Sequence, residues 1–114
     1  MPRAATHTDI FNAVAEARRR DILVFLANRE RPVGEIVEAF ALAQPSVSKH
    51  LRVLRHVGLV DVRRHGRQMF YRTNVQAIRP IYEWAGTFER FWRHQLTRLK
   101  ERAEARNQER TTDR

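Results

Sequence analysis

The amino-acid sequence predicts a mostly α-helical domain carrying one two-stranded β-hairpin, and three observations predict it. Apolar residues recur at helical spacing through the first half of the chain. Two short β-prone runs flank a glycine-centred polar segment. From Val75 onward the apolar residues repeat near the heptad period.

Taken in order, Ile10, Phe11 and Val14, then Ile22, Leu23, Phe25 and Leu26, read as two helices with a change of direction near Ala15 to Arg18, and Thr6 or Thr8 can cap the first. Arg29-Glu30-Arg31-Pro32 breaks the pattern, and Pro32 suits the first turn of a short third helix that carries Val33, Ile36, Val37 and Phe40 inward. After a tight connection, a fourth helix runs from about Pro45 to Val57. Val47, Leu51 and Leu54 form its apolar stripe, and Gly58 offers the left-handed stop. Leu59 to Val62 and Met69 to Thr73 make the hairpin, with Arg63 to Gln68 as a basic tip in which Gly66 supplies a positive φ. The last helix can be capped by Asn74, and Pro80 ends a first short turn or kinks it. Ile78, Ile81, Ala85, Phe88, Trp92 and Leu99 are spaced near the heptad period, with Trp84, Phe91 and Leu96 beside them. Of these, Ile81, Trp84, Ala85, Phe88, Phe91, Trp92 and Leu99 are the expected dimer contacts.

The length of 114 residues fits a single domain over 1–114, whose core is modest enough to gain from a partner chain. Within it we expect a core unit at about 18–73, dimerisation helices at about 8–16 and 75–100, and frayed tails at 1–6 and 101–114. Lys and Arg total 22 against 13 acidic residues, a formal charge of +9, which points to a polyanionic partner. The sequence has no cysteine, which excludes disulfides and thiolate metal sites. No apolar run reaches the length of a membrane span, and Met1 to Asp9 lacks the apolar segment of a signal peptide, so no membrane partner and a cytoplasmic location are expected.

The order α1-α2-α3-α4-β-β-α5 is that of a winged helix-turn-helix, in which a helix enters the major groove of DNA and a basic hairpin reaches neighbouring phosphates. The run from Val33 to Val60, with its core Gln44-Pro-Ser-Val-Ser-Lys-His-Leu51 followed by Leu54, resembles the ArsR/SmtB family of bacterial transcription regulators. Arg19-Arg20-Asp21-Ile22-Leu23 and the Arg-rich hairpin ending at Tyr71 extend the resemblance to roughly Phe11 to Thr73. The chain departs from the family at Glu16-Ala17, where Asp-Pro is usual, and at Ala43, where a Ser cap is frequent.

The resemblance implies that Gln44, Ser46, Ser48, Lys49 and His50 face DNA. Gln44 and Ser46 open the helix as donors to base edges or phosphates, while Lys49 and Arg52 lie on its exposed face. His50 lies toward the apolar stripe, so helix packing or a phosphate contact suits it as well as base reading. Arg63, Arg64 and Arg67 surround Gly66 as a cluster of cations for phosphate.

Metal sensing is the activity best known in the family, yet the residues for it do not assemble here. His94 is followed three residues later by Thr97 rather than a second ligand, and His7, His50, His56 and His65 are scattered over other elements. The comparison is therefore with a metal-independent branch, with no cofactor. No nucleophile and base pattern, phosphate loop or paired carboxylate points to an enzyme. The expectation is a homodimeric regulator, a repressor or autorepressor, on a pseudo-palindromic duplex operator, with any small-molecule inducer unknown. The rival reading is an architectural DNA-binding or RNA-binding module using the same basic surface.

Overall fold

The structure, a computed structural model, describes residues 7–112. Its elements are α1 (His7–Val14), α2 (Ala17–Phe25), β1 (Arg31–Pro32), α3 (Val33–Phe40), α4 (Gln44–His56), β2 (Val60–His65), β3 (Gln68–Thr73), a 3₁₀ turn (Val75–Ile78), α5 (Arg79–Gly86) and α6 (Glu89–Thr112). They form two units, one up to Ile81 and the other from Tyr82. Thr6, one of the two cap candidates, lies outside the described residues, and Thr8 lies inside α1.

The first unit is built on the apolar stripe of α4. Val47, Leu51 and Leu54 are buried together with Ile22, Leu26, Ile36, Leu59 and Val60. Each such side chain contributes about 1.5–3 kcal/mol through loss of contact with water, so this cluster dominates the unit's stability. From α1, Ile10 and Ala13 join the same core, and Ile78 and Ile81 pack against it at the far end.

Helix ends are closed by an unusual share of arginine. Arg19 donates from Nε to the Ala13 carbonyl at 2.6 Å, and Arg20 donates to the carbonyls of Val14 at 2.8 Å and Ala15 at 3.1 Å. The guanidinium groups thus satisfy the last carbonyls of α1, where a cation also meets the negative end of the helix dipole. Thr73 does the same for α2: its amide donates to Leu26 O at 3.1 Å and its hydroxyl to Leu23 O at 2.7 Å.

The hairpin is as expected, with one addition. β1 pairs antiparallel with β3, giving a sheet of order β1-β3-β2. Pro32 is therefore not in the first turn of α3. It is extended, opposite Phe70 at a sheet edge, and stands just before the helix. Edge strands tolerate a residue that cannot donate to a ladder, which is why proline fits here. The strands also run further than expected, from Val60 to His65 and from Gln68 to Thr73, leaving Gly66 and Arg67 as a two-residue turn. Gly66 has φ +63°, at the first turn position where a II′ turn favours glycine.

The helical region after β3 is interrupted twice. Its first turn is 3₁₀ and stops at Ile78, so Pro80 falls at the second residue of α5, where its missing amide costs nothing. The second interruption follows Gly86. Thr87 turns its hydroxyl onto the Trp84 carbonyl at 2.7 Å, a local bond that competes with helix continuation. α6 then continues to Thr112, past the Lys100 at which the sequence suggested an end. Among the described residues no helix is long and apolar enough to cross a membrane.

Two positive-φ positions flank the turn-helix segment. Gly58 (φ +82°) ends α4: its amide donates to Arg55 O at 3.1 Å and that of Leu59 to Leu54 O at 2.9 Å, the two bonds of a Schellman motif. At the end of α3 the same region is occupied by Ala41 (φ 51°, ψ 38°), where a Cβ costs about 1–2 kcal/mol. Substitutions at the two sites should act oppositely. Gly58→Ala should destabilise by about 1 kcal/mol and Ala41→Gly should stabilise by about 0.5–1 kcal/mol. Urea midpoints at constant m-value measure both, and a loss on Ala41→Gly would contradict the strain assigned to that turn.

Candidate nucleic-acid interface

α4 presents two faces because its apolar residues follow one stripe. Away from that stripe Ser46, Lys49 and Arg52 are exposed and Ser48 is half-buried, while Gln44, seven residues before Leu51, is exposed because it opens the helix. Ala43 offers no side-chain cap. Its carbonyl accepts from the amides of Ser46 and Val47 at 3.0 and 3.2 Å, leaving the first-turn donors without a side-chain partner. Pro45 has no amide hydrogen and the Ser46 and Val47 amides are taken by Ala43 O, so what favours an anion there is the positive end of the helix dipole.

The groove between α4 and the sheet is lined by Ser48, Leu51, Arg52, Arg55 and Tyr71. Arg55 completes a pair of cations one helical turn apart on this edge. It was not among the residues singled out by the sequence, although its spacing of three from Arg52 carried the signal.

His50 sits apart from the exposed face. Its side chain is 14% exposed, its Nε2 lies 3.5 Å from Glu16 Oε1, and its Nδ1 is buried with no partner among the described residues. The other Glu16 oxygen accepts from Arg19 at 2.8 Å. Glu16 therefore joins α4 to the arginine that closes α1, and His50 is turned inward to that junction.

The three wing arginines are not equivalent. Arg63 lies within β2 and its guanidinium is clasped by Glu30, with Nε at 3.1 and 3.2 Å from the two carboxylate oxygens and NH2 completing the fork. The same guanidinium lies 5.3 Å from the centre of the Phe70 ring, directly across the ladder. Arg64, on the opposite face of the strand, donates to Gly66 O at 3.1 Å, which holds it at the turn. Arg67 is exposed in the turn itself. The sequence grouped all three around Gly66; strand extension leaves Arg64 and Arg67 there and removes Arg63 to an internal ion pair.

In the second unit, Trp84, Phe88, Phe91, Trp92 and Leu99 are exposed, joined by Tyr82 and Leu96. Trp84 and Phe88 meet edge to face at 5.4 Å. Ile81 belongs instead to the core of the first unit, and Ala85 is half-buried. Exposed apolar surface of this extent marks a contact surface. Among the described residues no group of three His, Cys, Asp or Glu is arranged to hold a metal ion.

Comparison with known proteins agrees with this geometry. Residues 16–62 match the family described as bacterial regulatory protein, arsR family. The HTH-type transcriptional regulator KmtR of Mycobacterium tuberculosis is 40% identical over 73 residues, covering 64% of this chain and 56% of the relative. The transcriptional activator HlyU of Vibrio cholerae is 34% identical over 74 residues, covering 65% of this chain and 68% of the relative. The chain thus spans only a little over half of KmtR. Among solved structures, the homodimeric winged helix-turn-helix DNA-binding domain of Mb0332 from Mycobacterium bovis superposes with TM-score 0.61 at 29% identity, covering 72% of this chain and 76% of that one.

The Arg63 clasp has a pH signature. Hydrogen bonds from Arg63 hold the Glu30 carboxyl below its ordinary value, and the pair raises Arg63 in turn. A depressed carboxylate stabilises the fold above its unfolded pKa and ceases to as pH falls through the lower folded value. Below about pH 4.5 the wild type should therefore lose stability more steeply than Glu30→Gln. Thermal melts from pH 6 to pH 3 should converge for the two proteins at the acid end; parallel curves would show that the pair is not formed in solution.

Proposed function

The chain belongs to the ArsR family of bacterial regulatory proteins, and from that premise we propose that it works in the cytoplasm as a homodimer, reading a pseudo-palindromic operator with α4 and anchoring to phosphates with the hairpin. Membership of the family makes it a DNA-binding transcription regulator of winged helix-turn-helix fold and not an enzyme. The observation that carries the finer reading is the division of exposed polar groups. Gln44 and Ser46 stand at the open first turn of α4, while Arg64 and Arg67 stand at the tip of the hairpin.

Short side chains at the start of a helix inserted in the major groove reach base edges and phosphates alike, but only base edges carry sequence. Long cations on a hairpin tip reach phosphates, which are the same on every duplex. Ser48, Arg52 and Arg55 line the side of α4 toward the sheet and Lys49 is exposed on its outer face, so they serve backbone contact and orientation. His50 acts as a positioning residue, bearing on Glu16 rather than on DNA. Arg63, already neutralised by Glu30, contributes less to phosphate binding than its two neighbours. A dimer bound across a promoter represses by excluding polymerase.

The dimer buries Trp84, Ala85, Phe88, Phe91, Trp92 and Leu99 against a second copy, and α1 also contributes to the interface. The homodimeric state of the Mb0332 domain supports this assignment. No regulatory metal is part of the reading, because the sequence holds no cysteine and His94 has no second ligand three residues on.

Two experiments test it. With an operator selected from random duplex DNA, Arg64→Ala/Arg67→Ala should weaken binding to operator and non-operator duplexes alike and lower the salt slope. Gln44→Ala or Ser46→Ala should cost about 1–3 kcal/mol of discrimination with little change of slope. Zinc or nickel added to either titration should change nothing; loss of specificity in the wing mutant alone would reverse the assignment. Separately, Trp92→Asp should place a charge in the apolar interface and give monomers or aggregates on sedimentation. A variant that stays dimeric would put the interface elsewhere.

A further inference from the structure

The apolar seam of α6 does not end; it changes chemistry. Seven residues after Phe91 stands Arg98, and seven after Leu99 stands Arg106. Fourteen after Leu96 stands Arg110. Positions a heptad apart share a face of a helix to within about 20°. The face that is aromatic and aliphatic up to Leu99 therefore carries arginines in the C-terminal half of the same helix, with Ala103, seven after Leu96, as its small apolar member. Arg102 fills the remaining step, so that Arg98, Arg102, Arg106 and Arg110 follow one another at intervals of four along a single ridge.

Of the other cations of the helix two are engaged within it, and Lys100 is exposed. Arg93 pairs with Glu89 at 2.7 Å, and the Arg90 guanidinium lies over the Phe91 ring at 5.2 Å. By helical spacing Glu104 falls on the side away from Arg106 and Arg110, while Glu101 stands one turn after Arg98. Glu109 borders the ridge and is itself engaged. Among the described residues none of the four ridge arginines is in an ion pair, and all four are exposed.

Two helices that bury Trp92, Leu96 and Leu99 against each other gain nothing by extending the same contact over unpaired guanidinium groups, because desolvated like charges oppose it. The ridge instead suits a regular line of anions. At a rise of about 1.5 Å per residue, Arg98 to Arg110 extends about 18 Å, a length over which duplex DNA presents several phosphates.

We propose that the C-terminal half of α6 is a second DNA-contacting surface, in which Arg98, Arg102, Arg106 and Arg110 grip the phosphate backbone of duplex outside the site read by α4. The ridge contributes affinity without sequence preference and lengthens the footprint. This rests on the operator-binding reading above, and the two can fail separately.

The test uses the full chain with all four arginines changed to glutamine, a residue of similar helix propensity. The probes are a duplex trimmed to the selected operator and a longer duplex with the operator at its centre. Sedimentation should show an unchanged dimer, and circular dichroism an unchanged helix content. Binding to the trimmed duplex should be unchanged, while affinity for the long duplex falls about tenfold or more and its salt slope drops by about 0.9 per lost contact. Lysine at the same positions should restore both. Unchanged affinity for the long duplex, equal loss on both duplexes, or a weakened dimer would each overturn the proposal, the last by assigning the ridge to the second copy. A wild type that binds operator and random duplexes alike defeats the operator reading only, and the ridge is then judged by the long duplex comparison alone.

Discussion

The last carbonyls of a helix must find donors, and the position of the whole wing follows from how α2 finds them. Thr73 closes β3 and is buried, and it alone supplies two donors to α2, from its amide and from its hydroxyl. One residue later the Asn74 amide donates to Leu59 O at 2.8 Å, just beyond α4. Two adjacent residues thus tie the hairpin to both helices of the core. From the other side, Arg31 donates to Phe25 O at 3.3 Å and lays its guanidinium 3.9 Å above the Phe25 ring. With these bonds made, the exposed face of α4 and the Gly66 turn keep a fixed spacing, which is what a protein that engages groove and backbone together requires.

Much of this was legible because it rests on periodicity. Val47, Leu51 and Leu54 lie buried on one side of α4 as their spacing says, and Gly58 and Gly66 take the positive φ that their places demand. What escaped rests on contacts between residues distant in sequence. β1 is two residues long and exists only because β3 is beside it; Arg31 and Pro32 carry no strand signal of their own. The clasp between Glu30 and Arg63 joins residues 33 positions apart. A cluster of arginines in sequence therefore became one internally neutralised cation and two available ones. Pro80 drew attention as the point of interruption after β3, while the second break came from Thr87, whose hydroxyl competes for a backbone carbonyl.

Glutamate at position 16 shows how a departure from a family pattern can be absorbed. It precedes α2 without capping it, since its side chain makes no bond to the helix amides. The longer side chain instead reaches Arg19 with one oxygen and His50 with the other. Arg19 in turn closes α1 through Ala13 O. A helix expected at the dimer interface and the helix expected to read DNA are thereby connected through a single carboxylate. Chains of packed and hydrogen-bonded side chains of this kind can carry energetic coupling between sites.

Positive charge is spread over the chain, but its availability is not. Arg19 and Arg20 close a helix, Arg31 and Arg29 share Glu35, Arg63 belongs to Glu30, and Arg93 to Glu89. Among the cations these pairs do not take up are those of α4, the turn arginines Arg64 and Arg67, and the four arginines of the ridge on α6. A formal charge of +9 would attract any polyanion at a distance. Close binding depends instead on which guanidinium groups can exchange water for phosphate without abandoning an existing partner. That restriction separates the arginines committed to the fold from those free to meet an anion, and it explains why a count of basic residues in sequence overstates the surface on offer.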